Sequence, residues 1–240
     1  KDILRFHAVF WPAFLMAAKL PLPKRVFGHG WILSDDKKMS KSLGNILDPL
    51  EIINKYGIDQ LRYYLVKEVS LGNDGSISLK NLRDCINNDL ANNYGNLCQR
   101  VFSFIKKNSD NRIPLSSKLN NTDKQLLNNL KDSLPKLKSL MDNQELNEYI
   151  KTVVSFSFDA NKYFNDSEPW AVKKKDPERM NAILFTIVEQ IKNISILLNP
   201  IIPNATNKVL AIINISDQKI SIDKIIDDNI LNSKKEIGNL

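Results

Sequence analysis

Lys38-Met39-Ser40-Lys41-Ser42 sets two ammonium groups three positions apart, between extended chain and a helix start. On a movable loop such a pair can close over linked phosphates and neutralise the charge that grows as one departs, with Lys38 and Lys41 in that role and Gly44 as hinge. Asn92, Asn96 and Arg100 recur every four residues and share one helix face, offering amides and a guanidinium that hydrogen-bond unstacked bases. Pro169-Trp170, followed by Lys173, Lys174 and Lys175, joins an indole on which a splayed base can stack to cations for its phosphates. Ile3, His7 and Trp11 also recur every four residues and line one side of a helix. Taken singly, each set has a plainer reading: a solvated Lys/Ser loop, a satisfied core histidine, a bundle-packed tryptophan with a solvated last turn of lysines.

The elements that must carry these residues change character along the chain. Residues 2 to 18 read as a helix apolar on almost every side, the mark of a segment buried in a larger domain. Arg25 to Leu33 reads as a strand leading into the Lys-rich loop that ends at Gly44. Asp48-Pro49 starts a short helix that Gly57 closes, and another runs from about Asp59 to Val69. Gly72 to Ser78 is a turn-rich boundary. Beyond it, amphipathic helices are predicted over about 80–107, 123–142, 144–165 and 177–198, with a shorter one after Pro203, packing as a bundle.

Composition narrows the partners. The 240 residues are 42% hydrophobic and carry a net charge of +7, enough core for one or two domains and a charge that suits an anionic partner. The two cysteines, Cys85 and Cys98, show no CxxC or Cys/His spacing, which argues against disulfides and zinc and fits a reducing cytoplasm. The apolar stretch Phe6 to Leu20 is broken by His7, Pro12 and Lys19, so neither a membrane span nor a secretory leader is expected. The chain opens on Lys rather than Met and directly in a motif, so upstream sequence is expected.

Lys38 to Ser42 matches, without substitution, the KMSKS signature of class I aminoacyl-tRNA synthetases. Phe6-His7-Ala8-Val9-Phe10-Trp11-Pro12-Ala13 resembles the segment forming one wall of the methionine pocket in methionyl-tRNA synthetases. The resemblance continues through Asp48 to Leu65 and reaches at least Ile213. It implies a mainly α chain: the C-terminal end of a class I Rossmann catalytic domain (helix, strand and KMSKS loop, residues 1–48), a helical junction over 49–78, an α-helical anticodon-binding bundle over 79–220 and a tail over 221–240.

The resemblance also implies site residues. ATP with Mg²⁺ would meet Asp2, His29, Gly30, Ile32, Lys38, Met39, Ser40, Lys41 and Ser42, with Lys38 and Lys41 catalytic and Gly28 and Gly30 permitting close approach. Methionine would lie against Ile3, Phe6, His7 and Trp11, an aromatic-rich surface suited to a thioether. Asn96, Arg100, Pro169 and Trp170, with Asn92 on the same helix face, would read the CAU anticodon of tRNA(Met). His29-Gly30 is not the HIGH signature, which is absent from these residues and expected upstream with a zinc-bearing connective peptide. No metal site is expected in the residues present. The expected function is methionine–tRNA ligation in the cytoplasm, with these 240 residues binding the anticodon but not activating methionine alone. The rivals are an isoleucyl-, valyl- or leucyl-tRNA synthetase, or a non-catalytic tRNA-binding helical module.

Overall fold

The computed structural model describes residues 3–114, 118–215, 221–225 and 237–238. Helix α1 is a π-helical Phe6–Phe10 running into α-helical Trp11–Ala17. Its apolar surface is not buried: Phe6 is 60%, Phe14 70% and Met16 65% exposed. The expected burial is in a larger domain, and the described residues supply no cover for this surface.

The extended run after α1 gains ladder partners only at its end, because a strand exists where a neighbour exists. Strand β1 is Ile32–Ser34, shorter than the predicted Arg25 to Leu33. It pairs antiparallel with β2, Lys37–Lys38, across Asp35-Asp36, whose φ of 48° and 62° give the left-handed hairpin geometry. Its other edge takes β3, Gly75–Ile77, in parallel register, a strand inside the segment read as turn. The sheet order is β2-β1-β3.

Two helices join this sheet to the bundle. Asp48 caps α2, Pro49–Tyr56, by accepting from the Leu50 amide at 2.8 Å, and Pro49 fills the first helical position. Gly57, at φ 101°, turns the chain into α3, Ile58–Glu68. Helix α3 grips the bundle with charged side chains. Arg62 donates to the carbonyls of Pro200 and Ile201, both at 2.8 Å, and buried Asp59 accepts from the Ala205 amide at 2.7 Å. Hydrogen bonds to charged groups contribute about 1.5–3 kcal/mol each.

The bundle follows: α4, Leu79–Cys85; a π-helical segment Ile86–Gly95; α5, Asn96–Asn108; α6, Asn121–Asp132; α7, Leu134–Asp142; α8, Leu146–Asp166; α9, Pro169–Val172; α10, Pro177–Leu198; α11, Pro203–Ile212. The predicted helix over 123–142 is two helices, since Pro135 has no N–H to continue the ladder and α7 restarts around it. The predicted 80–107 is one continuous rod with a wider π-helical centre, where Asn161 on α8 donates to the Asn93 carbonyl at 3.2 Å and to its side-chain oxygen at 2.9 Å.

Helix α10 is the axis, packed by α8, α11, α6, α9 and α5. By length and composition it could cross a bilayer, although the sequence analysis predicts no membrane span. It is apolar because nearly every residue from Met180 to Leu198 is buried. Its buried Lys192 and Glu189 pair with one another. Cys85 and Cys98 are buried and free, and burial pushes both thiols up to about 12.

Candidate functional site

Two sets of side chains stand out. The first is a cleft of about 430 Å³ between α1 and the extended chain before β1. Ile3, His7 and Trp11 line one side, as their spacing predicts, and Val26, Phe27, Gly28 and His29 line the other. The imidazole of His7 meets the indole of Trp11 edge-on, with centroids 6.4 Å apart, and its Nδ1 lies 3.0 Å from the Ile3 carbonyl, which anchors the ring on the cleft side. Phe6 is outside this lining and leans on Phe10, centroids 5.5 Å apart. Asp2 lies outside the described residues, as does the side chain of Lys41.

The chain between this cleft and the loop is held by backbone contact. Gly30 lies against the 73–74 peptide, where a Cβ would fall 2.1 Å from the Asn73 carbonyl oxygen. That approach lets the Asp74 carboxylate accept from the Trp31 amide at 2.8 Å and the Gly75 amide donate to the Trp31 carbonyl at 2.8 Å. Gly30→Ala is therefore expected to cost about 1–3 kcal/mol by overpacking. Amide exchange of Gly75 reads the effect directly: protection should fall about 5- to 150-fold, and unchanged protection would mean that the two segments part freely. His29 lines the cleft and also, with Gly30 and Ile32, a second, apolar hollow closed by Leu65, Val66 and Val69 of α3 and its end.

The Lys38 to Ser42 loop is pinned at two points and open elsewhere. Asn45 accepts from the Ser40 amide at 2.9 Å and donates to the Lys38 carbonyl at 3.3 Å, closing the loop on itself. Met39 is half-buried and packs on the core, while the Ser40 and Ser42 hydroxyls lie 3.1 Å apart. The Lys38 ammonium rests over the Trp31 ring, 4.7 Å from its centroid. A cation–π contact at an exposed site contributes about 0.5–1 kcal/mol, little enough for the ammonium to leave for an anion. The lysine is legible in the sequence, whereas Trp31 beneath it and the Asn45 staple are not.

The second set joins α5, α8 and α9. Arg100 donates from Nη2 to the Asn165 side-chain oxygen at 2.6 Å, and its guanidinium lies 5.4 Å from the centroid of the Phe164 ring. Trp170 meets the same ring edge-on, centroids 5.9 Å apart and planes at 79°. The indole is 46% exposed, so it does not fill the bundle. Buried Pro169 begins α9, and the left-handed Glu168 before it, φ 41°, turns the chain sharply into that helix. Asn96 is half-buried and Asn92 exposed, on the same rod as Arg100. Lys173 donates to the Asn108 side chain at 2.6 Å, which brings the basic run 173–175 to the end of α5, itself carrying exposed Lys106 and Lys107. Arg100 and Trp170, distant in sequence, thus share one neighbour. Phe164 and Asn165 escaped sequence reading because they act from another helix, which no spacing around Arg100 or Trp170 reveals.

Comparison with known proteins gives two family matches. Residues 1–102 match the family of class I tRNA synthetases (M), and residues 113–233 match the anticodon-binding domain of methionyl tRNA ligase. Methionine–tRNA ligase of Brucella suis biovar 1 is 44% identical over 219 residues, 91% of this chain and 42% of the relative. That of Rickettsia felis is 40% identical over 250 aligned residues, 99% of this chain and 47% of the relative. The structure of Mycobacterium tuberculosis methionyl-tRNA synthetase in complex with methionyl-adenylate is 37% identical and superposes with a TM-score of 0.89 over 94% of this chain and 45% of that one. The chain spans less than half the length of these relatives.

Proposed function

This chain belongs to the methionyl-tRNA synthetases, and from that membership we propose that it serves the ATP-dependent joining of methionine to tRNA(Met) in the cytoplasm. Residues 1–48 would meet the amino acid and nucleotide, 49–78 connect, and 79–220 read the RNA. In that reaction the methionine carboxylate attacks the α-phosphate of ATP, pyrophosphate leaves, and the adenylate then acylates the 3′ end of the tRNA. The side chains of this chain contribute position and charge. Ile3, His7 and Trp11 offer a wall for the methionine thioether, and His29 faces the same cleft. Lys38, lightly held on Trp31, moves onto the phosphates with Lys41, while Asn45 and Met39 keep the loop attached. Mg²⁺ accompanies ATP as part of that substrate. Among the described residues no group of three His, Cys, Asp or Glu side chains is placed to hold an ion.

The observation that carries the proposal is the half-exposed Trp170, in a segment that matches a methionyl anticodon-binding domain, sharing the Phe164 ring with Arg100. An indole free on one side stacks on an unstacked base, and a guanidinium beside it hydrogen-bonds that base or its neighbour. The test is binding of the 240 residues to an anticodon stem-loop carrying CAU against one with a changed anticodon. Preference for CAU supports the reading, and equal affinity refutes it.

The basic run makes a separate prediction. Replacing Lys173, Lys174 and Lys175 with Gln should weaken both stem-loops equally, because phosphate contacts carry no sequence information. The slope of log affinity against log salt should fall by about 0.7 for each lysine that meets a phosphate. A change in the CAU preference itself would instead mean that these lysines touch bases.

A further inference from the structure

The two proposed anticodon readers, Arg100 and Trp170, come from separate helices, α5 of 13 residues and α9 of 4. A pair that must present one arrangement to an RNA loop needs a common reference. The ring of Phe164 provides one. It lies in the last turn of α8, is 2% exposed, and meets Phe104 of α5, one turn on from Arg100, edge-on, with centroids 6.4 Å apart and planes at 83°. The guanidinium of Arg100 is 5.4 Å from its centroid and the indole of Trp170 is 5.9 Å from it. The next residue, Asn165, accepts from Arg100 Nη2 at 2.6 Å, so consecutive residues of α8 hold the guanidinium through its charge and through one N–H.

We propose that Phe164 is a positioning residue for anticodon recognition, fixing Arg100 and Trp170 relative to one another while touching no RNA itself. This rests on the reading of those two residues as anticodon readers. At 2% exposure Phe164 has no face to offer a base, so whatever it contributes passes through its neighbours. Each contact depends on the aromatic ring: a cation sits beside the electron-rich face of an arene, and edge-on pairing needs a second quadrupole. An aliphatic side chain of similar size fills the space and supports neither. Arg100 would then keep its hydrogen bond to Asn165 but swing about it, and the indole would lose the surface that sets its tilt. Ordering both readers before the RNA arrives removes the entropy cost of fixing them on binding.

Phe164→Leu tests this, with Phe104→Leu as the control that loosens the same core while leaving the Phe164 ring in place. Both variants are measured with the whole chain against the CAU stem-loop and a loop of changed anticodon, beside wild type and Trp170→Ala, with circular dichroism and melting as the readout of fold. Positioning predicts that Phe164→Leu weakens CAU binding about tenfold, from the loss of two ring contacts, while binding of the changed loop moves less than about twofold. Phe104→Leu should melt lower yet keep the CAU preference. If Phe164→Leu keeps the preference while Trp170→Ala loses it, the positioning role is overturned and the anticodon reading stands. If wild type shows no preference, both fall together. Should Phe164→Leu fail to fold, Phe164→Met, which fills the site with a more adaptable chain, takes its place under the same criteria.

Discussion

Arg179→Met is expected to lower the stability of the bundle by about 3 kcal/mol, because it leaves a buried carboxylate without its half-buried cation. The other partner, Asp123, has a fully buried side chain and collects its contacts from three helices. Arg179 at the start of α10 forks onto it, Nη1 to Oδ2 at 2.5 Å and Nη2 to Oδ1 at 2.8 Å. Tyr163 of α8 donates its hydroxyl at 2.6 Å, and the carboxylate closes a reciprocal cap with Asn120 at the start of α6. Methionine keeps much of the arginine volume but leaves the carboxylate charged and short of its cation. Urea unfolding should show the midpoint falling with the slope unchanged. A loss below about 1 kcal/mol would mean that water reaches Asp123 and replaces the guanidinium.

The same carboxylate sets an acid limit. Burial alone would raise its pKa, but the hydrogen bonds from Arg179, Tyr163 and the Asn120 amide outweigh that and hold it below the ordinary value. A carboxylate more acidic folded than unfolded stabilises the fold fully above its unfolded pKa, about 3.9. That contribution fades as pH falls from there through the depressed folded value. In Arg179→Met much of it is already gone, so as pH falls from about 4 through the depressed folded value, stability should fall less steeply than in wild type.

Trp170→Ala is expected to abolish most of the preference for CAU. Loss of one base-stacking indole costs about 1–3 kcal/mol, a factor between roughly 5 and 150 in affinity. Because the indole is half-exposed, its removal should change stability by only about 1 kcal/mol. Binding and folding therefore separate in one variant: titration of the CAU stem-loop and a urea melt on the same preparation suffice. Equal CAU preference in variant and wild type would leave Arg100, Asn96 and Asn92 to carry recognition, and a stability loss above about 3 kcal/mol would make Trp170 a structural residue.

The sequence by itself determined what depends on residues close in the chain. Asp48 and Asp176 cap their helices, and α10 runs from Pro177 to Leu198 over its predicted range, because a cap hydrogen bond spans only two or three residues. The lysine loop and the helical faces of Ile3, His7 and Trp11 were legible for the same reason, since a helix fixes which residues share a side. The tertiary structure alone decided who faces whom. Periodicity names a face but not its partner, so it could not bring Phe164 beneath both Arg100 and Trp170, pair Gly75 with Trp31, or seat Arg179 on Asp123, 56 residues away. Nor could apolar composition fix burial. Helix α1 and helix α10 look alike as sequence, yet α10 is enclosed by five helices while α1 holds Phe14 and Met16 in the open, because burial depends on what other elements fold against a surface.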